Sequence, residues 1–489
     1  MYNVQKKASF RLHHSARANS RAWVPLATII FIFAMILSVT SSIWNSPWHS
    51  FNPSARAAAA PLPRINAPFF PNTVPFNRTA IFWFGTISSS TTYTDVRLGY
   101  SNSELYIDLR IVDRYLWYDP NKSAPNLNNG DNASLYLSTS NATNTQLDTH
   151  AYQFQTAVNG FKARPTYQQA FTGKGTTWTA VKLPFSAVYG WRGHGFNGGG
   201  SEDAGWSMTY HIPFSSLKIS SPAQGTLWKL GVRIHNRDDA ANTKIPDTWW
   251  PQAAESTNSS SWGQLHFGIP VYQAPKPGTT TVYTVRNKLN NQVVTDGMVG
   301  GALGCGSFLG GKANRWKLEG SQSYPGAIHV NIMNESDISD WDCFSKLYVT
   351  FPLSALPKGK AMVHAKITLY EYANAGVQGQ PNPSYIQVGE VNRDWQPASL
   401  TWNSAPLLQE NLNNILVPTK TKPVIPWPGL AITWDVSRAV AQAYAAGQPL
   451  RLVFYDTDNQ YNSGKYFTSS TVNDWDAKGR PTLQVTLGA

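Results

Sequence analysis

The stretch ELYIDLRIVD, residues 104–113, alternates apolar Leu105, Ile107, Leu109 and Ile111 with Tyr106, Asp108 and Arg110. In an extended chain successive side chains point to opposite faces, so this segment reads as a strand with one buried and one wetted face. The pattern returns in Trp228, Leu230, Val232 and Ile234, where Lys229, Gly231 and Arg233 alternate with them. It returns again in Leu347, Val349, Phe351 and Leu353, and in Val363, Ala365, Ile367 and Leu369. One segment reads as a helix, Val436 to Ala446, with Asp435 or Ser437 as N-cap and Gly447 as its stop. The expected fold is all-β: two jelly-roll-like β-sandwich domains in tandem after an N-terminal signal or anchor segment.

Composition agrees with a folded chain. Of the 489 residues 42% are hydrophobic, 13% aromatic and only 14% charged, the reverse of a disordered sequence. The net charge of +12 is unevenly placed, because Lys6, Lys7, Arg11, Arg17, Arg21 and Arg56 precede Ala58 and no Asp or Glu does. The remaining excess is mild and spread without a dense basic run, so nucleic acid is not the expected partner.

The leader has the layout of an export signal. A basic segment precedes an apolar stretch from Val24 to Ile43, and Ala55-Arg56-Ala57 supplies a small-x-small cleavage site. An uncleaved membrane anchor is the other reading, with Trp44 and Trp48 at the interface position. Either way the rest of the chain is expected outside the cell, touching a membrane only through this segment if it is uncleaved. The expected organisation is residues 1–57 as signal or anchor, 61–272 as the first sandwich and 282–489 as the second. Residues 273–281, with Pro275 and Pro277, read as a short semi-rigid spacer. Cys305 and Cys343, the two cysteines of the chain, are expected to form one disulfide in an exported protein.

The first block carries several ordered fragments: ELYIDLRIVD, NGDNASLYLS, GWSMTYHIPFSSL, GTLWKLGVRIHNRDD, and then DTWWPQ followed by WGQLHFG. Together, from Phe76 to Gly268, they resemble the family 9 carbohydrate-binding modules. That resemblance implies a jelly-roll sandwich that grips sugars with aromatic side chains and a few polar groups. A pyranose ring has an apolar C–H face, which an indole can cover, and a hydroxyl edge, which needs hydrogen-bond partners. Trp249 and Trp250 are the expected stacking residues, Trp117 the opposing wall, and Arg233 and Asn236 the groups that reach hydroxyls. Trp206 and Trp228 are expected in the core. Asp113 and Asp131 have two readings, oxygen ligands of a structural Ca²⁺ or turn caps; no cofactor is otherwise required.

The second block contains LYVTFPLSALPKGKAMVHAKITLYEY, DWQPASLTWNSAP, TWDVSRAVAQAYAAG and RPTLQVTL. In this order they resemble a DNRLRE domain, a type related to the family 96 carbohydrate-binding modules, and imply a second sandwich. The glycine-rich GALGCGSFLGGKANRW and the insert LVPTKTKPVIPWPGL depart from that pattern. Trp395 and Trp402 belong to the motif and are expected in the core, whereas Trp427 lies in the insert and is the exposed candidate.

No G-x-S-x-G, H-E-x-x-H or phosphate-cradling glycine loop occurs. Asp238 and Asp239 beside His235 make the densest titratable cluster of the first block. The expected function is non-catalytic extracellular binding of a polysaccharide or oligosaccharide. The alternatives are a glycoside hydrolase or lyase with an unrecognised site, and a cell-surface structural or adhesion protein.

Overall fold

The computed structural model describes residues 61–489, apart from 141–144, 162–164, 199–201, 301–315, 317–319, 336–342, 377–380, 420–424 and 426. The leader and Cys305 lie outside the described residues, and so does the side chain of Cys343, so the expected disulfide does too. Among the described residues no helix is long and apolar enough to cross a membrane.

The chain is all-β. In the first block a five-stranded antiparallel sheet runs Ala80–Ser88, Thr91–Tyr100, Glu104–Val112, Gly205–Pro213, Ser186–Arg192 in spatial order. Against it lies a second sheet in which Leu227–His235 is central. That strand pairs with Asn132–Ser138 on one side, and with Thr248–Trp250 and Gly263–Phe267 on the other. The alternation of residues 104–113 behaves as its sequence dictates: Leu105, Ile107, Leu109 and Ile111 are all buried in the core between the sheets.

The second block is another sandwich. One layer pairs Thr295–Gly300, Cys343–Phe351, Leu450–Asp456, Ser384–Val391 and Leu408–Val417. The other is built on the long strand Ala361–Asn374, which pairs with Thr482–Gly488, Leu430–Asp435 and Lys465–Thr468. A register shift between Met362 and His364 buries Met362 in place of the expected Val363 and then restores Ala365, Ile367 and Leu369 to the core. The helix spans Ser437–Ala445, and the Asp435 carboxylate accepts the Ser437 N–H at 2.8 Å. Pro277 of the expected spacer lies against Gly488, where a Cβ would approach within 2.1 Å of the proline ring.

The two sandwiches share a core. Strand Thr91–Tyr100 is buried on both faces beyond its first residue, because the second block covers the face that sequence alternation assigns to water. Tyr93, Asp95 and Arg97 all point into that contact. Arg97 donates from Nε to the Thr457 carbonyl at 2.7 Å. Lys346 enters from the second block and is 1% exposed. Its ammonium sits 3.6 Å from the ring centroid of Trp402, 4.1 Å from Trp83, 4.5 Å from Tyr455 and 4.9 Å from Tyr93. It donates to the Tyr93 hydroxyl at 2.7 Å, which donates to Asp95 at 2.6 Å.

Side-chain amides of the second block complete the contact. Ala80–Ser88 is an edge strand of its sheet, and open edges expose unpaired backbone groups. Gln387 accepts the Ile81 N–H at 2.9 Å and donates to its carbonyl at 2.7 Å. Asn403 treats Ile87 in the same way, at 2.8 and 2.9 Å. Each amide substitutes for a neighbouring strand.

Removing the buried Asp95 carboxylate strips the Tyr93 and Tyr455 hydroxyls of their acceptor and leaves Lys346, which reaches it through Tyr93, without a counter-charge. Asp95→Ala is therefore expected to destabilise the protein by about 3–5 kcal/mol, read as a lower urea midpoint. An unchanged midpoint would mean that this contact does not hold the blocks together.

Candidate functional site

The candidate residues of the first block fall on the outer face of the sheet around Leu227–His235 and at its end. Inward-facing Leu230, Val232 and Ile234 are buried, which leaves Arg233 and His235 on the other face. Cross-strand pairing then sets one row: Trp249 opposite Arg233, Arg233 opposite Ser134, Ser134 opposite Gln155, and Gln155 opposite Gln169. In the adjacent row Tyr136 lies between Gly231 and Gln153.

Trp249 is half-buried. It stacks on Tyr136 with centroids 5.3 Å apart and planes 30° apart, and the Arg233 guanidinium lies 6.0 Å from its ring centre. Tyr136 is itself backed by Trp262 and Trp178, whose rings are parallel to within 9°. The floor is polar, and most of its groups bond one another. Arg233 Nη2 donates to Asn132 at 3.1 Å and to Ser134 at 3.3 Å, and Gln155 donates to Asn128 at 2.8 Å. Arg233 Nε is buried and makes no hydrogen bond. Asp247 accepts from His235 at 2.7 Å. Burial pushes the Asp247 carboxyl up, but the His235 hydrogen bond and the Arg233 charge together hold it below its usual range.

Two expected ligand residues are corrected by this geometry. Trp250 is the inward neighbour of Trp249, 1% exposed, and packs on Phe82 with centroids 4.3 Å apart. Gly263 makes room for it, since a Cβ there would come within 2.5 Å of the indole. No sugar can reach that ring. Asn236 is 5% exposed and pairs with Asp238, so it belongs to the buried end of the strand and does not line the face with Arg233. Trp117 is half-buried and carries the Arg237 guanidinium 5.6 Å from its ring centre. It connects to the Trp249 row through the turn Leu127–Asn129, whose Asn128 contacts both Arg233 and His235 and whose Asn129 carbonyl accepts from Arg237. Trp206 and Trp228 are buried, as expected.

Asp113 and Asp131 come together with Asp238. Asp131 is fully buried and accepts the Trp117 N–H at 2.7 Å and the Arg237 N–H at 2.8 Å, so it ties two loops. Asp113 accepts from the Trp206 indole at 3.1 Å. Burial pushes both carboxyls well above the usual range, with further upward pressure from Asp238 on Asp113 and from Asp113 on Asp131. Burial also raises Asp238 to about 6. Asp238 Oδ1 and Asn236 Oδ1 are buried without a hydrogen-bond partner. Among the described residues no three Asp, Glu, His or Cys side chains are grouped as a metal-binding set. His235, Asp238 and Asp239, adjacent in sequence, do not converge: His235 pairs with Asp247, Asp238 joins the buried carboxylates, and Asp239 caps Thr243 at 3.0 Å.

Sequence reasoning missed Ser134, Tyr136, Gln155 and Asp247. The signal for the first two was present, since NASLYLS, residues 132–138, alternates polar with apolar side chains as a strand with a functional outer face would.

Residues 322–485 match the family described as carbohydrate-binding module family 96, the relationship to which the motifs of the second block pointed. Comparison with curated proteins returned no match. Among solved structures, the chain is similar to a family 9 carbohydrate-binding module of Caldicellulosiruptor kristjanssonii in complex with cellotriose. That similarity is at 14% identity and a TM-score of 0.30, covering 43% of this chain and 100% of that one. The same kind of module in complex with glucose gives 13% identity and a TM-score of 0.31, over 43% of this chain and 100% of that one.

The two adjacent indoles should behave oppositely on truncation. Trp250→Ala removes a core ring and is expected to cost about 3–5 kcal/mol. Trp249→Ala should leave the unfolding midpoint much closer to wild type. Equal losses in chemical denaturation would place both rings in the core.

Proposed function

We propose that this protein binds carbohydrate chains outside the cell and catalyses no reaction on them, with Trp249 as the stacking surface of its first sandwich. The observation that carries this reading is the half-buried Trp249, backed by Tyr136 and standing opposite Arg233, with His235 and Asp247 beside it. Trp249, Arg233, His235 and Asp247 are all partly open to solvent on the outer face of the sheet. An indole with a hydrogen-bonding shelf at its side matches the two chemistries of a pyranose, an apolar ring face and a hydroxyl edge. Trp117 and its partner Arg237 form the wall at the far side of the Leu127–Asn129 turn. The family 96 match over residues 322–485 supports carbohydrate as the ligand class. Export by the leader, with cleavage after Ala57, is part of the same proposal.

Covering roughly 100 Å² of ring surface at about 25 cal/mol per Å² contributes at most ~2.5 kcal/mol. Trp249→Ala should therefore weaken retention on an insoluble polysaccharide by roughly tenfold or more, measured by depletion from solution with folding checked by circular dichroism. Undiminished retention would remove Trp249 from the site. Release of reducing sugars or unsaturated products from a glycan panel would make the protein an enzyme.

A structural Ca²⁺ at Asp113 and Asp131 is the second element, with neighbouring side-chain and amide oxygens completing its shell, since the described residues group no three carboxylates as a ready set. Ca²⁺ takes amide and main-chain oxygens as well as carboxylates, and the partnerless Asn236 Oδ1 and Asp238 Oδ1 supply such oxygens in a buried place. Without a cation, an acid raised to about 6 in the fold favours the native state at low pH. That stability is lost as pH rises through about 6, because the unfolded carboxyl ionises earlier. Ca²⁺ binds the ionised form and should cancel the loss. At pH 7.5 Ca²⁺ is expected to raise Tm by several degrees over EDTA, and Asp238→Asn should abolish that difference. Identical melting in Ca²⁺ and EDTA would leave turn capping as the role of these residues.

A further inference from the structure

The geometry points to a second carbohydrate platform on the C-terminal sandwich, formed by Trp475 and Trp427 and shaped for a neutral pyranose chain. Trp475 is 70% exposed and Trp427 43% exposed. Their rings stack with centroids 4.7 Å apart and planes 26° apart. A single exposed apolar side chain is ordinary. Here two indoles from separate loops meet at the surface, and with one face of Trp475 covered by Trp427 the other is left to solvent.

Both loops are fixed beneath the rings. Trp475 lies in the turn Asp474–Gly479, next to Arg480, which is 2% exposed. Arg480 donates to the Val472 carbonyl at 2.7 Å, to the Asn287 carbonyl at 3.2 Å and to Asp474 at 2.5 Å. On the other side Trp427 is followed by Pro428 and Gly429. Gly429 has φ +112, and a Cβ there would lie 2.6 Å from the Glu371 carbonyl. Only glycine lets the insert return this close to the long strand. The indoles are therefore presented by anchored backbone, which lowers the ordering cost of stacking a ligand on them.

Size and charge select the occupant. Two partly exposed indoles offer on the order of 200 Å², far below the roughly 800 Å² per partner of a stable protein interface, but enough for one or two sugar rings. Two of the nearby cations are already engaged, since Lys288 donates to Asp474 at 2.9 Å and Arg480 holds the same carboxylate oxygen. Lys478, exposed in the same turn, favours an acidic sugar, whereas the exposed Asp474 carboxylate, adjacent to Trp475, opposes one and suits the hydroxyl pairs of a neutral ring.

This inference rests on the carbohydrate reading above but on different residues, so the two can fail separately. The test is N-bromosuccinimide oxidation of the exported protein, with and without a neutral soluble glucan or a uronate polymer, read by peptide mass spectrometry. Retention on an insoluble neutral polysaccharide is measured in parallel for Trp249→Ala, Trp475→Ala and the double variant. The expected result is protection of Trp475 by the neutral glucan even in Trp249→Ala. Each single variant should lose roughly tenfold in retention, and the double variant should lose nearly all of it. Complete loss in Trp249→Ala with Trp475 unprotected would overturn this platform and leave the first site standing. Full retention in Trp249→Ala and loss in Trp475→Ala would do the reverse. Protection by the uronate polymer alone would overturn the ligand class assigned here.

Discussion

An ammonium buried among four aromatic rings fixes the arrangement of this protein. Taking Lys346 out of water is costly, and burial pulls its pKa well below the usual lysine range while the charge of Asp95 acts in the opposite direction. The ring faces of Trp83, Tyr93, Trp402 and Tyr455 and the hydroxyl of Tyr93 are what stand in for the lost water. Trp83, Tyr93 and Asp95 come from the first sandwich, whereas Lys346, Trp402 and Tyr455 come from the second. Neither sandwich has enough of the box to bury that charge by itself. The amides of Gln387 and Asn403 add to the same seam by closing the open edge of Ala80–Ser88.

The seam decides which surfaces remain for function. The second sandwich covers the five-stranded sheet of the first, so strand Thr91–Tyr100 loses its wet face and its Asp95 and Arg97 become interior groups. The opposite sheet keeps its outer face for other work. There the period of two separates neighbours sharply. Trp249 stacks on Tyr136 in the polar row, while Trp250, one residue on, fills the core beside Phe82. The same rule takes Asn236 away from Arg233 and delivers it to the buried carboxylates at the strand's end.

Those carboxylates and the surface rows serve different ends. Asp131 joins the loop of Trp117 to the loop of Arg237 through main-chain N–H groups, so it sets the rim of the site without facing it. Asp113 shares its burial, and burial shifts the carboxyls of both Asp113 and the half-buried Asp238 upward.

Alternation alone was enough to read two β-sandwiches, their principal core strands and the helix near Ser437, because period and capping are local properties of the chain. The polar DTWWPQ loop and the resemblance to the family 9 modules, not alternation, marked Trp249 and Trp250 with Trp117, Arg233 and Asn236, and NASLYLS carried the alternation of the strand beside them. Which of two adjacent tryptophans faced outward was not decidable from composition, since both lie in the same polar loop sequence. That required the register of Thr248–Trp250 against Leu227–His235. The meeting of Trp427 with Trp475, the enclosure of Lys346 and the gathering of three distant aspartates likewise arose only in the folded chain. Each joins residues far apart in sequence, and proximity of that kind is set by how sheets pack and leaves no periodic trace along the chain.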